Sequence, residues 1–248
     1  MRTSPPDGWY PWVMTRFRTA AVRYLAPLAV VGYAVMWIGY LRHWSWLHGM
    51  DWTLLNAARG AAHRHPAWVE AWQFVSVWLG PPLWRLVALV AAVAALVRRN
   101  VRAALVLLAC GPLNGLVTTA AKGLVDRPRP PTMLVAAPST SFPSGHALET
   151  TAALLALVSF LLPLLNRALG RVTVAVATAV GLAVGVSRVA LNVHYPSDVL
   201  AGWALGYLWF LLCCGIFRPS GARRWIGRTC ARALVATAVA SNVGSSMV

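Results

Sequence analysis

The sequence predicts an all-α fold, an integral membrane bundle of about six transmembrane helices, and three observations predict it. Hydrophobic residues make up 58% of the 248 positions and charged residues only 11%, with a mean hydropathy of +0.62, which is outside the range of ordinary soluble domains. Apolar runs near the roughly 17–25 residues needed to cross hydrocarbon recur along the chain. Basic residues cluster in alternate connections between those runs.

In chain order, residues 1–23 carry Pro5, Pro6, Pro11 and several arginines and read as a cytoplasmic N-terminal segment. No small-residue cleavage site follows the first apolar run, so that run reads as a retained helix, not a signal peptide. The runs cover 24–41, 71–97 (broken only by Arg85), 103–121, 150–166, 172–187 and 199–217. In the second, Gly80, Pro81 and Pro82 place the true helix start after them. Residues 24–217 are thus the membrane domain, with a motif core at 122–198, and 218–248 form a basic cytoplasmic tail.

The formal net charge of +16 raises the possibility of a nucleic-acid partner, but no aromatic-interleaved basic stripe lies on a soluble domain. Fourteen of the 22 lysines and arginines instead fall before run one, between runs two and three, between runs four and five, and after run six. The positive-inside rule then puts both termini in the cytoplasm and the 122–198 motif segments at the extracytoplasmic surface. Trp44, Trp46, Trp52, Trp68, Trp72, Trp78 and Trp84 crowd the first outer connection and its flanks. Such rings favour the headgroup level, so an amphipathic interfacial segment is expected there. Cys110, Cys213, Cys214 and Cys230 lack metal-ligand spacing, and no disulfide framework is implied.

Three segments carry chemistry: Lys122 with Arg129-Pro130, then Pro143-Ser144-Gly145-His146, then Ser187-Arg188 with His194 and Asp198. Lys122, Arg129 and Arg188 would neutralise a phosphate, and Lys122 is the chain's one lysine beside 21 arginines. A helix starting at Pro143-Ser144-Gly145 would aim free N–H groups and the Ser144 hydroxyl at an anion, with Gly145 allowing close approach. Pro196 opens a new helix, which leaves His194 just outside it and Asp198 four residues on, able to hold one imidazole N–H and free the other nitrogen to attack. Asp126 and Glu149 are expected to form salt links with Arg127 or Arg129, and His63 and His65 lack the company a metal site needs.

Written as K-x6-R-P, P-S-G-H and S-R-x5-H-x3-D, the segments resemble the signature of the type 2 phosphatidic acid phosphatases, the lipid phosphate phosphatases, with every position filled. The resemblance implies a membrane phosphatase that takes a lipid phosphate or diphosphate substrate amid membrane lipids, with no metal or organic cofactor. It implies His194 as nucleophile, Asp198 as its partner and His146 as general acid and base. Lys122, Arg129, Ser144, Gly145 and Arg188 would form the phosphate cradle. Among the family's substrate classes a polyprenyl diphosphate is narrowly preferred over phosphatidic acid or phosphatidylglycerol phosphate. A lipid-linked phosphotransferase using the same residues and a non-catalytic lipid-phosphate binder or transporter stay open as alternatives; the intact histidines and Asp198 speak against the binder, since binding needs only the cations.

Overall fold

The structure, a computed structural model, describes residues 24–217, so the expectations for the N-terminal segment, for the C-terminal tail and for Cys230 lie outside the described residues. Every regular element among those residues is helical: α1 (Ala26–Leu41), α2 (Ser45–Arg64), α3 (Trp68–Trp78), α4 (Pro81–Val97), α5 (Val101–Cys110), α6 (Asn114–Leu124), α7 (Gly145–Leu161, with a short 3-10 turn at Leu162–Leu164), α8 (Arg167–Ala190) and α9 (Pro196–Ile216). Five segments are long and apolar enough to cross a membrane: α3 with α4, α5 with α6, α7 with its 3-10 turn, α8 and α9. The first apolar run is α1, 16 residues long.

The side-chain distribution identifies the solvent. On α4 the small residues Ala88, Ala92 and Ala95 are buried, while Leu86, Val90, Val93 and Val97 on the other face are exposed. In water this pattern would be inverted; in lipid, large apolar side chains face outward at no cost and small ones let helices approach. The chain is a multi-pass membrane protein.

Three boundaries differ from the sequence reading. The second run is two helices: Trp78 ends α3, Gly80 is extended, and Pro81 opens α4, where a missing N–H costs nothing. The third run, read as continuous, breaks at Gly111–Leu113, because Pro112 offers no N–H and crowds the preceding turn. The fifth reaches past its apolar limits at both ends, from Arg167, where the Asn166 side chain caps Leu169 N–H at 3.0 Å, through Arg188 to Ala190. Hydropathy stops at a charge, whereas backbone hydrogen bonding does not.

Central α7 is buried from Ala147 to Leu157 on most of its surface. It packs on α9 at backbone distance because Gly202 and Gly206 face it. A Cβ at Gly202 would lie 2.6 Å from the Ser144 carbonyl oxygen, and one at Gly206 would strike that of Leu148. This contact sets the start of α7 beside the start of α9.

The Trp-rich connection between the first and second apolar runs is α2 and the first part of α3. Helix α2 has three faces. Leu47, Asp51 and Leu55 are buried against the bundle, Trp46 and Leu54 are exposed apolar residues, and Asn56, Arg59 and His63 form a polar side. It is amphipathic, as expected, with one unexpected buried acid.

Candidate active site

The three motif segments converge at one end of the bundle. Lys122 lies in the last turn of α6, Arg129 in the connection from α6 to α7, Ser144 and Gly145 at the start of α7, Arg188 in the last turn of α8, His194 in the short connection to α9, and Asp198 in the first turn of α9. His146 has Arg188, His194, Arg129 and Lys122 as its charged or titratable neighbours.

Pro196 starts α9, and the Asp198 carboxylate turns back to accept the Tyr195 N–H at 2.9 Å, fixing the carboxylate at the helix entrance. His194 then sits with Nδ1 at 3.4 Å from Asp198 Oδ2, near enough for the carboxylate to orient the ring though longer than an ideal hydrogen bond. The same carboxylate oxygen accepts the Ser141 hydroxyl, while Oδ1 accepts Arg127 Nη1 at 2.6 Å. With Nδ1 turned to Asp198, His194 Nε2 presents its lone pair to the site, where Arg129 Nη1 lies 3.2 Å away. Burial pushes the His194 imidazole down to about 4, with Asp198 pulling the other way, so the ring is neutral at physiological pH.

The cations fall into two groups by partner. Arg129 donates to the carbonyls of Pro138 (3.0 Å), Ser139 (2.9 Å) and Val193 (2.6 Å), tying two site loops together. Lys122 donates to the Thr140 carbonyl and Arg188 to the Ser76 hydroxyl. Among the described residues none of these three has a carboxylate within ion-pair distance, so three positive charges meet without a direct acid partner. Around them the buried Ser144, Thr118 and Thr140 hydroxyls and Arg188 Nε have no hydrogen-bond partner. Unsatisfied buried donors beside unneutralised cations form an arrangement that suits a polyanion carrying several acceptor oxygens. Burial lowers the Arg129 guanidinium somewhat, partly offset by Asp198, and it stays charged.

Arg127 and Arg85 are the other group. Arg127 is 7% exposed, bridges Asp198 and Asp51, and is stacked between the rings of Tyr195 (3.9 Å) and Tyr40 (4.7 Å). Burial works against its charge, but Asp198 and Asp51 more than offset this and raise its pKa. Arg85 of α4 pairs with Glu149 of α7. This corrects the expectation for the flanking acids: Glu149, one turn beyond His146, points toward α4 and away from Arg127 and Arg129, and Asp126 is exposed with no ion pair among the described residues.

Gly145 also has a second reason to be glycine, since a Cβ there would sit 2.8 Å from Thr118 Cγ2 on α6. Helix packing, as well as access to an anion, excludes a side chain. Sequence reasoning missed Asp51, Ser76, Ser141 and Ser197. The one available signal was for Asp51, an acid within a Trp-rich segment of a chain that has six acids. Among the described residues no three of His, Cys, Asp and Glu gather as a metal site requires.

Known proteins resemble parts of this chain. The family model described as the PAP2 superfamily matches residues 101–221. Phosphatidylglycerophosphatase B of Bacillus subtilis is 38% identical over 104 residues, 40% of this chain and 51% of that protein. Decaprenylphosphoryl-5-phosphoribose phosphatase of Mycobacterium tuberculosis is 40% identical over 128 residues, 50% of this chain and 65% of that one. The chain therefore spans between half and two thirds of these relatives. Among solved structures, a transmembrane PAP2 type phosphatidylglycerolphosphate phosphatase from Bacillus subtilis superposes with a TM-score of 0.67 at 25% identity, covering 78% of this chain and 96% of that one.

Proposed function

From the premise that this chain carries a PAP2 superfamily domain over residues 101–221, we propose that it is a lipid phosphate phosphatase working through a phosphohistidine. The observation that carries the reading is the oriented, neutral His194 aimed at a cluster of three cations that, among the described residues, have no ion-paired acid. A structural histidine would not need that company.

In the proposed reaction the substrate phosphate binds to Lys122, Arg129, Arg188, the Ser144 hydroxyl and the first N–H groups of α7. His194 Nε2 attacks phosphorus, and the bond from phosphorus to the leaving oxygen breaks. His146 gives that oxygen a proton, while Asp198 holds the His194 Nδ1–H and the charge growing on the ring. Water, deprotonated by His146, then attacks the phosphohistidine; inorganic phosphate leaves and both histidines return to their starting states. The cations supply the neutralisation that magnesium supplies in many phosphoryl-transfer enzymes, so turnover is expected to survive excess EDTA. Both termini are taken to be cytoplasmic and the site to face the outer leaflet, since Arg98, Arg99, Arg102, Arg167 and Arg171 sit at the far ends of α4 and α7 from the motif residues. The preferred substrate is a polyprenyl diphosphate. The names of the relatives support the wider class, lipids that bear a terminal phosphate.

The test is phosphate release in detergent from polyprenyl diphosphate, phosphatidylglycerol phosphate and phosphatidic acid, alongside an activated aryl phosphate. Wild type should hydrolyse at least one lipid. His194→Ala should turn over nothing, whereas His146→Ala should lose the lipids yet show an aryl burst and accumulate an acid-labile phosphoenzyme. Should His194→Ala keep the burst, the assignment of the nucleophile is wrong.

A further inference from the structure

The Asp51 carboxylate is the most thoroughly enclosed acid with no part in the chemistry so far. It is 1% exposed and comes from α2, a helix outside the membrane-crossing set. Its three hydrogen bonds are directed at one place. Oδ2 takes Arg127 Nη2 at 2.8 Å and the Ser197 hydroxyl at 2.7 Å, and Oδ1 takes the Ser197 backbone N–H at 2.9 Å. Arg127 Nη1 is divided between Asp198 Oδ1 at 2.6 Å and Ser197 Oγ at 2.8 Å. Thus Asp51 grips both the arginine that holds Asp198 and the first turn of α9 on which Asp198 stands.

Burying a carboxylate costs several kcal/mol unless it is fully paired, and a well-packed apolar residue would serve helix docking as well or better. Leu47 and Leu55, one turn to either side on the same stripe, show that apolar residues dock this face. Packing therefore does not explain the acid, but charge does. Arg127 facing Asp198 alone would pair with it fully, drawing its electrons and leaving less for the His194 N–H. A second carboxylate shares the guanidinium, aims one arm of its fork away, and keeps Asp198 a strong acceptor. We propose that Asp51 is a positioning residue for the phosphatase reaction, setting through Arg127 the orientation and strength of Asp198 as the partner of His194. The proposal rests on the catalytic reading of His194 and Asp198 above. It also makes the amphipathic helix α2 a contributor to the active site, because α2 carries Trp46 and Leu54 on an exposed apolar face and Asp51 on the buried one.

The experiment compares Asp51→Asn, Arg127→Lys, their double variant, Leu55→Ala and Asp198→Asn in the full-length protein in detergent, with thermal midpoint, kcat, KM and phosphoenzyme measured for each. Asp51→Asn keeps the shape and one acceptor. It should lower kcat roughly tenfold or more with KM within about twofold, since Asp51 faces no substrate group. Arg127→Lys keeps a charge near Asp198 but cannot span both acids, and should lose kcat over the same range. The double variant should be no worse than Arg127→Lys alone, the signature of one pathway. Leu55→Ala weakens the docking of α2 without touching the network, and should lower the thermal midpoint while kcat stays within about twofold. Wild-type kcat in Asp51→Asn, or losses in Asp51→Asn and Leu55→Ala that track the thermal midpoint alike, would overturn the proposal. If Asp51→Asn does not survive purification, Arg127→Lys decides, and wild-type kcat there overturns it equally. An active Asp198→Asn would instead overturn the catalytic reading itself.

Discussion

Arg127 and Arg129 are two residues apart, the first buried and the second half-buried, and opposite in what surrounds them. Arg127 has two carboxylates, two tyrosine faces and the Ser197 hydroxyl; Arg129 has three carbonyls and one imidazole nitrogen. The first arginine is electrically spent on the scaffold. The second keeps its charge for something the protein does not contain. The same division separates Arg85, paired with Glu149, from Lys122 and Arg188, which among the described residues hydrogen-bond only to neutral oxygens. In a site for a polyanion, the informative property of a buried cation is whether an acid has already claimed it.

This division can be broken most severely at the unclaimed cations. Arg129→Gln combined with Arg188→Gln removes two sets of charge-assisted hydrogen bonds, each worth about 1.5–3 kcal/mol. Vanadate binding and kcat/KM should together fall by about a hundredfold or more, with a folded protein by thermal melt. Retained vanadate affinity would erase the distinction. Arg127→Gln should behave in the other way. It leaves Asp51 and Asp198 buried without a cation, at a cost of about 3–5 kcal/mol in stability, and reduces kcat, while vanadate affinity in whatever folds stays within a few-fold. Arg85→Gln is the milder scaffold case, since its side chain is 41% exposed. A drop of several degrees in thermal midpoint and less than about threefold in kcat are expected.

The smallest effect is in the pH profile. His194 titrates at about 4 in the folded protein against about 6.5 when unfolded. Its neutral, attacking form therefore persists well below pH 6, and the acid limb of kcat/KM attributable to it should fall near pH 4. The same depression means that the unfolded chain takes up a proton first, so His194 subtracts from stability progressively as pH drops from about 6.5 toward 4 and costs nothing above that window. An acid limb near 6.5 that Asp198→Asn does not move would contradict the burial of His194.

Much of this was legible in sequence because it was local. The spacing of Lys122 and Arg129, the helix start at Ser144-Gly145, and Pro196 with His194 and Asp198 within four residues all report backbone geometry over a turn or two, and local rules reach that far. The apolar runs likewise announced the spans. What was not legible depends on distant packing. Asp51 meets Arg127 across 76 positions and Ser197 across 146, and Glu149 finds Arg85 rather than the arginines nearer in sequence. The break at Pro112 was visible as a residue but hidden in a count of apolarity. The signature spacing singles out Arg129, but nothing in the sequence pattern shows that Arg127 meets two acids, because those acids arrive on distant helices.

The two glycines of α9 that admit α7 have a mechanical consequence. With backbone against backbone at Gly202 and Gly206, and Ser144 N–H bonded to the Asp198 carbonyl at 3.0 Å, the helices that carry His146 and Asp198 cannot slide or tilt past one another. A bilayer thicker or thinner than the hydrophobic height of the bundle must be met by tilting of the outer helices or by deformation of the lipid itself, at a fraction of a kcal/mol per Å. The separation of the two histidines is thereby insulated from the thickness of the membrane, and one protein can keep its reacting groups in register while the lipids around it change length.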